Sequence, residues 1–151
     1  MCKTKFVRSF LDKILKKPNF AQCLQKLQIV SAGNGNCKAE LVVSQEHLNI
    51  YGLMHGGFTS TLIDAVSTYA LITHEKNSKP GVSLNLNITF MKPALSGELI
   101  TINARTIRVG KTVAFISVDI TKNAGKDIIV NGTHIKFIGN TIDSTIVYYK
   151  I

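Results

Sequence analysis

The sequence predicts an α+β fold in which an antiparallel sheet wraps around one long central helix. Two observations predict it. The segment from Gly57 to Ile72 has the length of a helix and is apolar nearly all round, so it must be buried on most sides. Two segments of alternating polarity precede it and four follow it, which is the pattern of strands in antiparallel succession. A sheet that curls around a single helix satisfies both observations.

The first seventeen residues are basic and amphipathic. They hold six Lys or Arg side chains against one acid, and Phe6, Phe10 and Ile14 recur every four residues. This spacing predicts an amphipathic helix that Pro18 ends. Three interpretations fit such a helix: a mitochondrial presequence, a helix on a membrane surface, or an ordinary helix docked on the domain with its basic face in water.

The chain length of 151 residues suits one domain with a sizeable core. We assign residues 1–20 to the basic amphipathic N-terminal helix, 21–139 to the main domain, and 140–151 to a C-terminal tail or an extra strand. Asn19 is placed to cap a short second helix that runs to about Leu27.

Six strands are expected from the alternation of apolar and polar residues. In the first strand after the central helix, Leu84, Leu86 and Ile88 share one face, whereas Ser83 and Asn85 share the other. Val109 and Gly110 mark a tight hairpin between two later strands. The predicted strands cover residues 28–32, 37–43, 82–90, 99–108, 111–121 and 127–138.

The composition limits the classes of partner. The net charge is +9 and the sequence pI is about 9.6, which favours nucleic acid, anionic lipid or a phosphate-bearing small molecule. No nucleic-acid motif is present, so we expect no specific nucleic-acid partner. Cys2, Cys23 and Cys37 include no C-x-x-C pair, which predicts reduced thiols in an intracellular compartment and no zinc site.

The centre of the long helix contains an isolated acid. Asp64 is the only formally charged side chain between Glu46 and Glu75. A carboxylate in so apolar a stretch loses roughly several kcal/mol of hydration unless a partner or a reaction uses it. Gly56 and Gly57 at the helix start leave backbone N–H groups open to a ligand where the helix dipole favours negative charge. The combination indicates acyl-transfer chemistry; the alternative is an Asp64 that hydrogen-bonds a buried partner.

Three stretches, in their order and spacing, resemble the hotdog-fold acyl-CoA thioesterases. The first is Asn-x-x-Gly-x-x-His-Gly-Gly from Asn49, followed by Asp64. The second is Gly-Val-Ser-Leu-Asn-Leu-Asn-Ile-Thr-Phe-Met-Lys-Pro-Ala from Gly81, and the third is Gly-Lys-Thr-Val-Ala-Phe-Ile-Ser-Val-Asp from Gly110. The resemblance extends over about residues 21–139 and implies a hotdog thioesterase domain. Hotdog folds also host dehydratases, so fold alone does not decide the reaction.

The resemblance implies a role for each catalytic candidate. The backbone N–H of Gly56 would bind the thioester carbonyl and stabilise the developing oxyanion. Asp64, from the partner subunit, would act as general base or nucleophile. Ser83 would orient the attacking water, and Asn49 and His55 would order the loop and the carbonyl site.

The resemblance also implies coenzyme A contacts at Ser83 and along two short segments. Lys92, Arg108 and Lys111 lie at strand ends where they could meet phosphates, although solvated surface charge is their default interpretation. The implied contact residues are Ser83, Phe90, Met91, Lys92, Pro93, Ala94, Leu95, Arg108, Val109, Gly110, Lys111, Thr112 and Val113.

Two positions depart from the family pattern. Asn85 stands where an acidic residue is expected, which changes the charge near the water site. Phe137 stands where a histidine often contributes to the coenzyme pocket, so part of the nucleotide contact differs.

The predicted function is hydrolysis of medium- to long-chain fatty acyl-CoA to free fatty acid and coenzyme A by a homodimer that assembles into a homotetramer. No cofactor or metal is expected, because coenzyme A is part of substrate and product. The alternatives are a hotdog acyl-CoA hydratase or dehydratase and a catalytically weak acyl-CoA-binding protein. We expect an intracellular location, cytoplasmic, mitochondrial or both, and a weak membrane-surface contact through the basic N-terminus.

Overall fold

The computed structural model describes residues 1–77 and 79–139. The expected tail or extra strand at 140–151 lies outside these residues. Among the described residues, no helix combines the length and apolarity that a membrane crossing needs.

The N-terminal helix α1 (Thr4–Leu15) is docked on the domain. Val7 and Leu11 on its apolar face are 0% and 4% exposed. The Arg8 guanidinium donates hydrogen bonds of 2.9 and 2.7 Å to the Ile29 carbonyl oxygen. The geometry is therefore that of the docked-helix interpretation, because the domain already covers the apolar face of α1.

The segment after α1 forms a single short 3-10 helix, Phe20–Leu24, rather than a helix that reaches Leu27. Asn19 caps it as predicted, since its Oδ1 accepts a hydrogen bond of 2.8 Å from the Ala21 N–H.

The strands form one six-stranded antiparallel sheet, with each boundary within two residues of its predicted position. Their spatial order is β1-β2-β4-β5-β6-β3, which places β1 and β3 at the two edges. The strands are β1 (Gln28–Gly33), β2 (Asn36–Val42), β3 (Val82–Phe90), β4 (Leu99–Val109), β5 (Val113–Lys122) and β6 (Asp127–Phe137).

The first hairpin shows why the local sequence determines the turn. Asn34 and Gly35 connect β1 to β2 with φ angles of 51° and 77°. Two successive positive φ angles define a type I′ turn, which Asn-Gly adopts with little strain.

The central helix α2 (Gly56–Leu71) packs against β1, β2, β4, β5 and β6. Leu62, Ile63 and Val66 are fully buried on its sheet-facing side. Gly132 on β6 has no side chain where Ile63 approaches closest, since a Cβ there would lie 3.1 Å from two Ile63 carbons. The predicted sheet around one central helix is confirmed.

In the edge strand β3, the predicted alternation of side chains between the two faces of the sheet is interrupted at one point. A bulge between Ser83 and Asn85 leaves Leu84 without a partner on β6. Ser83 therefore pairs with Lys136, and Leu86 pairs with His134, on the same face of the sheet. The alternation had placed Ser83 and Leu86 on opposite faces. The bulge turns Ser83 toward α2.

Candidate active site

The N-terminus of α2 has one open donor. His55 is its N-cap residue, and the His55 Nδ1 accepts a hydrogen bond of 2.8 Å from the Gly57 N–H. The Gly56 N–H has no acceptor within residues 1–77 and 79–139. It is one of the orphan amides of the first helical turn, where the dipole favours a partial negative charge.

Asn49 organises the loop that leads to this helix start. Its Oδ1 accepts hydrogen bonds from the Tyr51 N–H at 2.9 Å and the Leu53 N–H at 3.2 Å. The Asn49 N–H donates to the Leu53 carbonyl oxygen at 2.8 Å, and the His55 N–H donates to the His47 carbonyl oxygen at 2.8 Å. These bonds tie the loop to the first residues of α2.

A groove of about 340 Å³ connects three of the predicted site elements. Asn49 and Gly56 line it together with Phe90, Met91, Lys92, Pro93 and Ala94 from the end of β3 and the loop after it. The remaining walls are mainly apolar and come from Leu53, Met54, Thr59 and Val130.

Asp64 lies elsewhere on the same helix. A rise of 1.5 Å per residue puts it about 12 Å along the axis from Gly56. Its side chain is 52% exposed in this chain. The expected burial of the carboxylate inside the apolar helix is thus wrong for the single chain, because Asp64 lies on the side of α2 that the sheet leaves uncovered.

Three polar groups surround the Asp64 carboxylate. Its Oδ1 lies 3.5 Å from the Ser83 Oγ, 3.7 Å from the His134 Nε2 and 3.8 Å from the Lys136 Nζ. Sequence reasoning found Ser83 but missed both β6 residues. One signal was available, since the alternation of β6 places His134 and Lys136 on the same face as the buried Val130.

His134 links α2 to β3 through hydrogen bonds on both ring nitrogens. The Ser67 Oγ donates to the Asp64 carbonyl oxygen at 2.9 Å, so its proton is engaged, and the His134 Nδ1–H donates to the Ser67 Oγ at 2.7 Å. In the neutral ring the His134 Nε2 then accepts from the Ser83 hydroxyl at 2.9 Å. Burial, followed by the positive charge of Lys136, lowers the pKa of His134 to about 4, so the ring is neutral at pH 7.

The second predicted coenzyme segment lies at the Asp64 end of the sheet. Ser83 pairs with Lys136, which pairs in turn with Ala114 at the start of β5, beside the hairpin of residues 108–113. The other segment begins at Phe90, about 27 Å from the first residue of β3. Within one chain, the candidate residues are thus divided between the two ends of β3.

The candidate phosphate-binding cations have different surroundings. The Lys92 Nζ forms an ion pair with the Asp127 Oδ1. Arg108 and Lys111 are exposed and form no ion pair within the described part of the chain. Of the three, Arg108 and Lys111 are the ones whose charge no acid in residues 1–77 and 79–139 neutralises.

The two departures from the family pattern lie near the same end. Asn85 is exposed on β3 and pairs with Ile135. Phe137 pairs with Val82 on one side and with Val113 on the other, so its backbone lies between β3 and the start of β5.

Known proteins are similar to this chain in both sequence and architecture. A model of the thioesterase superfamily matches residues 51–129. The chain is 44% identical to human acyl-coenzyme A thioesterase 13 over 137 residues, which cover 91% of this chain and 97% of the human protein. The chain belongs to the thioesterase superfamily.

Solved structures of thioesterases have the same fold. Zebrafish thioesterase superfamily member 2 superimposes with a TM-score of 0.86 at 38% identity, covering 90% of this chain and 98% of the zebrafish chain. A hypothetical thioesterase protein from Streptococcus pneumoniae, solved with coenzyme A, has a TM-score of 0.73 at 25% identity, covering 81% of this chain and 92% of the Streptococcus chain. The predicted hotdog fold and the predicted family are confirmed.

Proposed function

We propose that this superfamily member hydrolyses medium- to long-chain fatty acyl-CoA to free fatty acid and coenzyme A. The observation that carries the proposal is the pair of complementary features on α2: a Gly56 N–H at its N-terminus that has no acceptor among the described residues, and an Asp64 carboxylate two turns later. One can stabilise an oxyanion, and the other can activate water or attack the carbonyl. The similarity to human acyl-coenzyme A thioesterase 13 supports acyl-CoA as the substrate class.

A homodimer resolves the separation of the two features. Gly56 and Asp64 of one chain are about 12 Å apart, too far to act on one thioester carbonyl. Among the described residues, no strand pairs with the outer edge of β3, and Leu84 and Phe90 on this strand are 58% and 56% exposed. Two β3 strands paired antiparallel about a two-fold axis would bring the Asp64 end of one chain to the Gly56 end of the other.

The same pairing would complete the coenzyme A site. It would bring residues 108–113 of one chain toward residues 90–95 of the partner, which are at opposite ends of β3 within each chain. Arg108 and Lys111 would then be available for phosphate groups. We propose that two such dimers assemble further into a homotetramer.

The hydrogen bonds around Ser83 favour a particular water position. The Ser83 proton is directed to the His134 Nε2, which leaves the Ser83 Oγ lone pairs to accept a proton of water. A water between Ser83 and Asp64 can donate its second proton to the carboxylate while its oxygen adds to the thioester carbon. The Gly56 N–H of the partner subunit stabilises the resulting oxyanion. The carbonyl then re-forms, the C–S bond breaks, and the leaving coenzyme A sulfur takes the proton from Asp64, which restores the carboxylate.

Apolar side chains support a fatty acyl group as the acid part. Met54, Phe90, Met91 and Val130 line the groove beside Gly56. Burial of each acyl methylene contributes about 0.8 kcal/mol, so kcat/KM is expected to rise from butyryl-CoA to palmitoyl-CoA. Equal kcat/KM along this series would contradict the proposed chain-length preference.

The test compares the hydrolysis of palmitoyl-CoA by the wild type and by Asp64→Asn. The reaction is monitored through the release of free thiol. We expect kcat to fall at least about 100-fold in Asp64→Asn, because the amide can neither accept the proton nor attack. The thermal midpoint is recorded as well, because Asp64→Asn removes the ion-pair partner of the buried Lys136 ammonium and is expected to lower stability. Equal rates would refute the catalytic role of Asp64.

The same assay separates the alternative reactions. A hydratase or dehydratase would release no thiol from a saturated acyl-CoA, and an acyl-CoA-binding protein would retain coenzyme A tightly without turnover.

A further inference from the structure

Lys136 is an unusual component of the sheet interior. Its side chain lies on the α2-facing side of β6 and is 5% exposed. Buried ammonium groups lose hydration and normally need a compensating partner. The Lys136 Nζ donates a hydrogen bond of 2.6 Å to the Thr68 Oγ1, and the Asp64 Oδ1 lies 3.8 Å away. Within residues 1–77 and 79–139, Asp64 is the only acid that forms an ion pair with Lys136.

Few other charges act on the Asp64 carboxylate. β3 contributes no charged residue, and from β6 the inward-facing titratable groups are His134 and Lys136. The side chains that β4 and β5 bury against α2 are apolar, and β2 buries the Cys37 thiol. On α2 itself, burial raises the pKa of Tyr69, so its phenol stays neutral. Because His134 is neutral as well, Lys136 provides the positive charge beside Asp64.

We propose that Lys136 is a positioning residue for thioester hydrolysis: its ammonium group, anchored on Thr68, attracts the Asp64 carboxylate and keeps it directed toward Ser83. This role rests on the proposed function of Asp64. It matters most when substrate and the partner subunit exclude water from the carboxylate, because the attraction between opposite charges is stronger where water is excluded. A carboxylate turned away from Ser83 can neither accept a proton from a water held there nor attack the thioester.

Four variants test this role: Lys136→Met, Lys136→Arg, Thr68→Val and, as a matched control, Lys38→Met. Lys38 is paired with Glu40 on β2, away from the candidate site. For each variant, kcat and KM for palmitoyl-CoA are measured from pH 4.5 to pH 9, and the thermal midpoint is recorded.

We expect kcat of Lys136→Met to fall by about 10- to 100-fold, with KM within about threefold of the wild type. Lys136→Arg should recover most of the activity, because it keeps a positive charge beside Asp64. Thr68→Val should lower kcat by about three- to tenfold, because Lys136 loses its anchor. Lys38→Met should behave as the wild type.

Several outcomes would overturn the proposal. A Lys136→Met enzyme with wild-type kcat would do so, as would a loss that appears only in the thermal midpoint. If Lys136→Met does not fold, Thr68→Val and Lys136→Arg decide, and a wild-type kcat for Thr68→Val would contradict the role. Turnover by the wild type together with inactive Asp64→Asn separates a failure of this inference from a failure of the proposed function. Absence of turnover by the wild type would overturn both.

Discussion

Gly56 is the first residue of α2, and the groove beside it is open to ligand. Its chemistry would depend on one backbone hydrogen atom rather than on a side chain. His55 before it has φ −65° and ψ 131°, an extended conformation that a following proline tolerates. Proline also suits the first position of a helix, because the amide it removes has no intrahelical acceptor. The oxyanion donor can therefore be deleted with little change to the helix.

We expect Gly56→Pro to fold with a thermal midpoint close to that of the wild type and to lose about 100-fold or more in kcat. Gly56→Ala is the matched control, because it keeps the N–H and its Cβ would lie 3.6 Å from the Phe90 ring, an ordinary contact. Steady-state kinetics and thermal unfolding of both variants provide the measurement. Equal activity of the proline and alanine variants would exclude Gly56 N–H as the oxyanion donor.

A second prediction at the residue scale concerns His134, which makes the stability of the fold depend on pH. Its pKa is about 4 in the folded protein because of burial, against about 6.5 in the unfolded chain. Between these values the unfolded chain binds more protons, so the free energy of unfolding decreases as the pH falls from about 6.5 to about 4. Burial also lowers the pKa of His47, which adds a contribution of the same sign.

In the wild type, His134 should lower the free energy of unfolding by a value on the order of 2 kcal/mol over this pH interval. We expect His134→Gln to lack this decrease and to keep only the smaller pH dependence due to His47. Urea unfolding at a series of pH values measures it. An unchanged slope in His134→Gln would show that His134 is not the titrating group.

At the scale of elements, α1 and β3 differ in how far the domain covers their apolar side chains. The apolar face of α1 is covered, with Val7 and Leu11 buried against β1 and the Phe10 ring in edge contact with Tyr69. Val82, Leu84 and Phe90 on β3 are exposed within one chain, whereas Leu86 and Ile88 are half-buried. Both elements are amphipathic in sequence, so periodicity alone does not say which one remains open to a partner.

Leu11→Ala should therefore lower the free energy of unfolding by about 2–4 kcal/mol, the cost of a cavity in a packed interface. Phe6→Ala, on the exposed side of the same helix and 52% accessible, should cost less than about 1 kcal/mol. Urea unfolding of the pair is the measurement. Equal and small effects would mean that α1 is not part of the cooperative unit.

At the scale of the whole molecule, the proposed active site requires two chains. Gly56→Pro and Asp64→Asn would each be nearly inactive alone. A mixed dimer would contain one intact site, with Gly56 from the Asp64→Asn chain and Asp64 from the Gly56→Pro chain. Complementation between inactive variants is the consequence.

We expect a 1:1 mixture of these variants, unfolded together and refolded, to recover about one quarter of wild-type activity, since half of the dimers are mixed and each has one of two sites. Either variant refolded alone serves as control. A mixture no more active than its components would indicate that both groups act within one chain.

The sequence by itself determined the architecture and most of the candidate site. Alternation predicted six strands at the observed places along the chain, because each half-buried strand keeps a period of two. It did not predict that β3 pairs with β6 rather than with the next strand in sequence, β4. An apolar helix with glycines at its start and one acid in its middle pointed to Gly56 and Asp64. The Asn34-Gly35 pair determined the type of the first hairpin turn, since the required φ angles are local properties of those residues.

Tertiary structure decided which side chains meet. The bulge at Leu84 turned Ser83 toward α2, which alternation could not predict because a bulge depends on pairing with β6. His134 and Lys136 are 70 and 72 residues beyond Asp64 in sequence, and only the sheet brings them beside it. The exposure of Asp64 was likewise decided by packing, because it depends on which side of α2 the sheet covers.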